Sequence, residues 1–254
     1  MRRLAAGALL VLGACATAPT PTPAPAAGAI VVQERPATPP PSMQWLYGSG
    51  EGGAASIQAW HAFRDYVVAA ARDRPRDSVV LAADSTLDAP SFLPCGERPL
   101  AVILDADETV IQNLGYEYDE ASRGLSYDQA RWNRWERTGA DAVLPMPGAV
   151  TALRAVREAG VTVIFNSNRQ SANAEFTRRA IEGAGLGPAR HRETLWLQGD
   201  IAPGSAKDPR RAAVSQRYCV IAMAGDQLGD FSDLFNARTL SVPERRRAAT
   251  SGRF

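Results

Sequence analysis

Short apolar runs alternate with amphipathic stretches along most of this chain. Leu100–Leu104 is an uninterrupted run of Leu, Ala, Val and Ile side chains, which is typical of a parallel strand buried on both faces. Ser56–Arg72 instead places its apolar residues on one stripe of a helix. Further strands are predicted at residues 161–165, 194–197 and 218–224, and further helices at residues 126–137 (capped by Ser126), 147–159, 172–182 and 207–216. This alternation predicts an α/β domain with a parallel sheet.

Carboxylates directly follow the first of these strands. Asp105 and Asp107 lie two residues apart just after Leu104, in the position where open α/β sheets bind their ligands. By itself, such a pair is equally typical of a solvated acidic turn. Other polar residues favour a site, because they also lie at or beyond the carboxyl ends of predicted strands, which meet at one edge of a parallel sheet. They are Ser167, Lys207, Asp226 and Asp230.

These side chains are of the types that phosphoryl transfer requires. A carboxylate such as Asp105 can attack phosphorus and form an aspartyl-phosphate, and a second one, Asp107, can protonate the leaving alcohol and later activate water. Two carboxylates repel a phosphate, so we expect a Mg²⁺ ion between them. Asp226 would be its remote ligand, and Asp230 would orient a bound water.

A hydroxyl and an ammonium, from Ser167 and Lys207, would neutralise the phosphate oxygens. Lys207 is the only lysine in the chain, although lysine and arginine together number 28. A single lysine in such a background favours a position where a guanidinium cannot replace a compact ammonium. Chance survival of one lysine codon is the alternative.

The charge balance provides no basis for nucleic-acid binding. The 254 residues, enough for one domain with appendages, carry a net charge of +1. Removing residues 1–14 takes away Arg2 and Arg3 and no acid, so 26 basic minus 27 acidic residues leave −1, which is not the excess of positive charge that a nucleic-acid partner requires. The two histidines, His61 and His191, argue against a multi-histidine metal site and against phosphohistidine chemistry.

The first 43 residues differ in composition from the rest. Residues 1–14 join a basic start to an apolar run that is shorter than the roughly 20 residues needed to span a bilayer, and this predicts a secretory signal peptide. The tetrad ending in Cys15 resembles a bacterial lipobox, which implies cleavage before Cys15 and acylation of its thiol. An ordinary signal peptide with an incidental cysteine is the alternative. Residues 15–43 are predicted to form a Pro-rich tether, followed by a globular domain at residues 44–254.

The motifs together resemble those of the haloacid dehalogenase (HAD) superfamily and, more narrowly, those of the class C acid phosphatases, a family of bacterial lipoprotein acid phosphatases and 5′-nucleotidases. The resemblance covers residues 44–234. It rests on Gln44-Trp45-Leu46 with Ser49-x-Glu51, Asp105-x-Asp-Glu-Thr with Asn113 and Tyr116, Trp132-x-x-Trp135, Pro147-Gly148-Ala149, Ser167-Asn168-Arg169, Ser205-Ala206-Lys207, and Gly225 to Phe231.

This resemblance implies a HAD-like Rossmannoid parallel sheet flanked by helices, with a small, mainly helical cap at about residues 112–146. It implies Mg²⁺-dependent hydrolysis of phosphate monoesters, including 5′-nucleotides, by a protein that is lipid-anchored in the bacterial cell envelope, in the outer membrane or facing the periplasm. By the same resemblance Asp105 is the nucleophile and Asp107 the acid/base. Asp105, the Asp107 carbonyl and Asp226 bind the metal, and Trp132 stacks on the substrate.

Two alternatives remain open at the level of the sequence. One is a phosphatase of the same superfamily that acts on a non-nucleotide ester. The other is a surface lipoprotein that binds a ligand without turnover. The second is disfavoured because every charged catalytic position is occupied, whereas a decayed site should have lost at least one of them.

Two further expectations depend on the resemblance. If the strands that end at Asp105 and Asp226 are neighbours, as the superfamily fold implies, Cys95 and Cys219 lie near the opposite edge of the sheet and form a disulfide. A buried free Cys219 is the alternative. Resembling proteins also continue for several dozen residues beyond the motif that ends at Phe231. We therefore expect a truncated C-terminus that lacks an edge strand and one aromatic of the substrate clamp.

Overall fold

The computed structural model describes residues 38–86 and 88–233. The predicted signal peptide, Cys15, most of the predicted tether and the predicted C-terminal truncation lie outside the described residues. No helix in the described ranges is long and apolar enough to cross a membrane.

Seven α-helices and eight strands are formed by the described residues. The helices are α1 (Pro41–Gly48), α2 (Gly50–Asp73), α3 (Leu114–Ser122), α4 (Gln129–Thr138), α5 (Ala149–Glu158), α6 (Ala174–Gly183) and α7 (Asp208–Arg217). The strands are β1 (Asp77–Leu81), β2 (Phe92–Pro94), β3 (Leu100–Leu104), β4 (Ile111–Gln112), β5 (Leu144–Pro145), β6 (Thr162–Gln170), β7 (Leu195–Gln198) and β8 (Cys219–Ala224).

Within the described part of the chain, four parallel strands form the central sheet in the order β7-β6-β3-β8. Leu104, the last residue of β3, pairs with Phe165 on one side and with Ala224 on the other. The residues that follow Leu104 and Ala224 therefore emerge side by side. This register brings Asp105 and Asp226 to the same edge of the sheet, as predicted.

Both faces of the sheet are covered by apolar side chains. All five residues of β3 are buried, and their side chains alternate between the two faces. Leu100, Val102 and Leu104 join a cluster with residues of α2, α5 and α6, whereas Ala101 and Ile103 join a second cluster with residues of β1 and α7. The β3 sequence has no polar residues because both faces of the strand are covered by other elements.

The β1–β2 hairpin lies beside the end of the sheet opposite the acidic edge. Cys95 follows this hairpin and forms a disulfide with Cys219, the first residue of β8, with a Cα–Cα distance of 4.8 Å. The predicted disulfide is confirmed. The Ser78 hydroxyl of β1 also donates to the Val220 carbonyl of β8 at 2.9 Å, so the hairpin is held to β8 by a covalent and a polar contact.

The segment predicted as a cap leaves the domain between two short strands. β4 and β5 pair antiparallel, with Ile111 opposite Pro145, and α3 and α4 lie between them in the chain. The prediction that Ser126 caps the second of these helices is wrong. Asp128 is the N-cap, and its carboxylate accepts from the Arg131 N–H at 2.7 Å, because a carboxylate two residues nearer the helix satisfies a free donor of the first turn.

Three other boundaries differ from the predictions. β6 continues to Gln170 instead of ending at Phe165, because pairing with β7 extends it beyond the apolar run. Helix α1 begins at Pro41, inside the predicted tether, because a proline is tolerated at the first position of a helix. Residues 74–98 contain the β1–β2 hairpin, where no strand is predicted.

Candidate active site

Asp105 lies at the carboxyl end of the central strand and is paired with the single lysine. Its backbone N–H donates to the Ala224 carbonyl at 2.9 Å, which continues the ladder between β3 and β8 by one residue. The Lys207 ammonium donates to the carboxylates of Asp105 and Asp230. All three side chains are at least nine-tenths buried, so the ammonium is held between two carboxylates with little access to water.

The loop after β8 supplies two more carboxylates. Asp226 lies directly beyond the strand, and Asp230 ends a short 3₁₀ turn in which its carboxylate accepts from the Gln227 N–H at 2.8 Å. Gly225 is required here, because a Cβ at this position would lie 2.2 Å from the Cβ of Asp230. The glycine in this motif therefore allows the loop to fold back toward β3.

Three carboxylates at this edge could hold a cation. One oxygen each from Asp105, Asp226 and Asp230 lies within 4.8 Å of the other two. Carboxylate oxygens are the ligands that Mg²⁺ and Ca²⁺ prefer. The donor set therefore fits a hard divalent cation, such as HAD phosphatases use.

The pKa values at this edge reflect burial and crowded negative charge. Burial raises the pKa of Asp105 to about 7, although the neighbouring Lys207 ammonium lowers it. Asp226 is more exposed than Asp105, but desolvation among the neighbouring groups, followed by the Asp230 carboxylate, raises its pKa to about 6. Burial opposes the charge on Lys207, but the carboxylates of Asp105 and Asp230 outweigh it and raise the pKa of that ammonium. An additional positive charge among these acids would therefore be stabilised.

The position of Lys207 is fixed by the start of α7. The Asp233 carboxylate accepts from the backbone N–H groups of Lys207 and Asp208, at 3.0 and 2.7 Å. Arg211, one turn into α7, donates to the carbonyls of Gly229 and Asp230, each at 3.0 Å. These bonds connect α7 to the acidic loop and hold the ammonium in place.

The Asp107 carboxylate is held by a different set of partners. Arg169 donates to it from Nε and Nη2, and Asn113 Nδ2 donates to its Oδ1 at 2.8 Å. The Ser167 hydroxyl lies 3.4 Å from Oδ2. Burial, followed by the Asp107 charge, raises the pKa of the neighbouring Glu108 to about 8. The acid/base candidate is thus fixed on one side by a buried arginine and an amide.

These side chains meet at a cavity of about 580 Å³. Seven acidic residues and one lysine line it together with aromatic and polar side chains, and the acids are Asp105, Asp107, Glu108, Glu117, Glu120, Asp226 and Asp230. The predicted substrate aromatic, Trp132, lies in the wall but is only 9% exposed and contacts Tyr116 edge-on, with ring centroids 4.8 Å apart. Tyr127 also lines the cavity and is 61% exposed.

The structure therefore brings most of the predicted residues together. Asp105, Lys207, Asp226 and Asp230 form one cluster, and Asp107 and Trp132 line the same cavity. Ser167 does not line it: its side chain is fully buried beside Asp107, where its oxygen accepts from the Arg169 N–H at 3.1 Å.

Two residues that contact Asp107 were not predicted as site residues. Arg169 and Asn113 occur in the motifs that carry the family resemblance, but their roles depend on contacts across 62 and 6 residues of sequence. Their presence in those motifs was the available signal, but the sequence could not show that the Arg169 side chain contacts Asp107 instead of lining the cavity.

Comparisons with known proteins identify the family of this chain. Residues 54–248 match the family described as HAD superfamily, subfamily IIIB (Acid phosphatase). A class C acid phosphatase from Bacillus anthracis, solved with tungstate bound, is 25% identical over 82% of this chain and 75% of that one, with a TM-score of 0.66. A second structure of the class C acid phosphatase from Bacillus anthracis is 26% identical over the same shares, with a TM-score of 0.65. No curated protein matches this chain.

The family match covers well over half of the chain, and the parallel sheet agrees with the fold of these neighbours. A ligand-binding lipoprotein without turnover is therefore set aside. The chain belongs to the class C acid phosphatases of the HAD superfamily, subfamily IIIB, and is a phosphoric monoester hydrolase.

Proposed function

We propose that this phosphatase hydrolyses phosphate monoesters, including 5′-nucleotides, through an aspartyl-phosphate on Asp105 and with Mg²⁺. The observation that carries the proposal is the meeting of Asp105, Lys207, Asp226 and Asp230 at the carboxyl edge of the sheet, inside one cavity. In this arrangement a buried carboxylate lies beside the one ammonium that can balance its charge.

The proposed reaction has two steps. In the first, an Asp105 oxygen attacks phosphorus, the bond from phosphorus to the leaving oxygen breaks, and Asp107 donates a proton to that oxygen. In the second, Asp107 takes a proton from water, the water oxygen attacks phosphorus, and the Asp105 carboxylate and inorganic phosphate are released. Lys207 would balance the charge of the phosphate oxygens throughout. The phosphate contact predicted for Ser167 is left out of this proposal, because Ser167 is buried beside Asp107 and does not line the cavity.

The chain has suitable groups to hold Mg²⁺. The carboxylates of Asp105 and Asp226, with the Asp107 carbonyl, would be its ligands, and Asp230 would hold Lys207 and orient a water. When bound, the ion would offset the repulsion between these acids and an anionic substrate. The carboxylate oxygens that lie within 4.8 Å of one another support this assignment.

The leaving group would lie against the aromatic wall of the cavity. Trp132 is proposed to contact a nucleobase, and the exposed ring of Tyr127 supports an aromatic leaving group. A non-nucleotide ester remains the second candidate, because the cavity also exposes acids that do not belong to the catalytic cluster, Glu117 and Glu120.

We also propose that the enzyme works at the bacterial cell envelope. Cleavage before Cys15 and acylation of its thiol would anchor it to the outer membrane or to a surface facing the periplasm. The Pro-rich residues that follow would separate the domain from that surface. The Cys95–Cys219 disulfide supports an oxidising compartment.

Hydrolysis of p-nitrophenyl phosphate tests the catalytic part of this proposal. We expect turnover that EDTA abolishes and that added Mg²⁺ restores. Undiminished turnover in EDTA would contradict the metal requirement. A panel of nucleoside 5′-monophosphates, with benzyl phosphate as the simple ester, then tests the substrate class. Turnover of benzyl phosphate without measurable turnover of any nucleotide would contradict a substrate class that includes 5′-nucleotides.

A further inference from the structure

The Arg169 side chain is buried behind the wall of the active-site cavity and forms an ion pair with the Asp107 carboxylate. Its side chain is 0% exposed. Its Nε lies 2.9 Å from Asp107 Oδ1 and 3.1 Å from Oδ2, and its Nη2 lies 2.8 Å from Oδ1. Two donors in a rigid fork fix the orientation of a carboxylate as well as its charge.

This arginine is enclosed by side chains of the cap and does not face the substrate. Its guanidinium lies 5.6 Å from the centre of the Trp132 ring, and its Nη2 also donates to Asn113 Oδ1 at 2.8 Å. Arg169 is not among the residues that line the cavity. Because Arg169 is fully buried and contacts the Asp107 carboxylate, the part in catalysis that we assign to it acts through Asp107.

The two oxygens of Asp107 are held unequally. Oδ1 accepts from Arg169 Nε and Nη2 and from Asn113 Nδ2. Oδ2 has the longer Arg169 contact and the Ser167 hydroxyl at 3.4 Å. The Asp107 side chain is 19% exposed and lines the cavity. Oδ2 has fewer and longer contacts than Oδ1, and it is therefore the oxygen more readily released to a partner in the cavity.

We propose that Arg169 is a positioning residue that directs Asp107 Oδ2 toward the leaving-group oxygen. Asn113 assists it and is itself fixed by the Trp135 indole N–H, which donates to Asn113 Oδ1 at 2.8 Å. This inference rests on the proposed function, in which Asp107 protonates the leaving group. In that step the electron pair of the broken phosphorus–oxygen bond goes to the leaving oxygen, which takes the proton from Oδ2, while Arg169 keeps its own protons.

A series of leaving groups separates this role from a merely structural one. p-Nitrophenyl, phenyl and benzyl phosphate share one ring but have increasingly basic leaving oxygens, so their need for a proton donor rises in that order. Arg169→Lys keeps the positive charge and loses the fork. We expect its loss in kcat/KM to grow along the series, from less than about tenfold to roughly 100-fold or more.

A second buried arginine provides the matched control. Arg210 is 2% exposed and donates to Asn166 and Asn168, each at 2.6 Å, with no contact to Asp107. Arg210→Lys should therefore reduce kcat/KM by the same factor for all three esters. A graded loss in Arg169→Lys alone supports the inference, and an equal loss across the series in Arg169→Lys overturns it.

Asp107→Asn distinguishes failure of this inference from failure of the proposed function. If the loss in kcat/KM of Asp107→Asn grows along the three esters while that of Arg169→Lys is the same for all of them, only the inference fails. If its own loss is flat, Asp107 is not the proton donor and both fail. If Arg169→Lys does not fold, Asn113→Ala removes another hydrogen bond to Asp107 Oδ1. Its loss in kcat/KM should also grow along the three esters. A flat loss there would overturn the inference.

Discussion

The ammonium of Lys207 lies between the carboxylates of Asp105 and Asp230 and is bonded to both. Its side chain is only 6% exposed. A guanidinium is planar and wider, and it presents its donors in a fixed fork. Since arginine carries every other basic charge in the chain, the geometry provides a physical reason for this one exception.

Lys207→Arg should therefore impair catalysis although it preserves charge. The fork would displace Asp105 or Asp230, and we expect kcat to fall by on the order of 100-fold. Steady-state kinetics with p-nitrophenyl phosphate measure this loss, and circular dichroism checks that the variant is folded. Arg211→Lys changes a neighbouring buried basic residue that does not contact Asp105, and its loss should be smaller. A fully active Lys207→Arg would show that the single lysine is a coincidence.

The residues that could be predicted are those whose chemistry follows directly from a strand end. Asp105, Asp107 and Asp226 were predicted in this way. Arg169 was not, because an arginine near a phosphate site is ordinarily expected to bind phosphate, and only the packing of the cap shows that it faces Asp107 instead.

At the scale of elements, apolar runs predicted the strands well but not their ends. β3 was predicted at its observed bounds because its five residues are all buried between two helical layers. β6 extends five residues past its predicted end, since polar residues such as Ser167 and Gln170 still pair with β7. Strand pairing depends on a neighbour that is distant in sequence, and no local pattern indicates it.

The Cys95–Cys219 disulfide joins the hairpin to β8, and its loss should cost stability more than activity. It closes a loop of 124 residues, so replacing both cysteines by alanine should lower the free energy of unfolding by about 2–5 kcal/mol. Because Cys219 starts the strand and Asp226 follows its other end, we expect kcat/KM to remain within about twofold. Denaturant titration and kinetics measure the two effects. Two alkylatable thiols in the unreduced, denatured wild type would contradict the bond.

At the scale of the whole molecule, the fold concentrates negative charge at one edge of its sheet. Net charge is only +1, yet seven acids and one lysine line the cavity. Repulsion among carboxylates this close together opposes folding, and a bound cation would offset it. The acids at this edge therefore make the free energy of folding less favourable, and a bound divalent ion would offset that effect.

Mg²⁺ should therefore stabilise the folded protein. At a concentration of about 100 times its Kd, it should raise the free energy of unfolding by about 2.7 kcal/mol, which corresponds to a rise in Tm on the order of 5–10 °C. Calorimetry with and without EDTA measures this shift. Asp226→Asn removes one ligand charge and should reduce the shift strongly. An equal Tm with and without Mg²⁺ would contradict the metal site.

In the proposed mechanism the phosphoryl group passes through Asp105. The most direct measurement is to react Asp107→Asn with p-nitrophenyl phosphate, quench with acid, reduce with borohydride and map the peptides by mass spectrometry. Asp107→Asn slows the second step, while p-nitrophenolate leaves without a proton donor. Borohydride converts an acyl phosphate at Asp105 to homoserine, and we expect this conversion at Asp105 and at no other carboxylate. Steady turnover with Asp105 unmodified, or conversion of a different residue, would contradict an aspartyl-phosphate intermediate on Asp105.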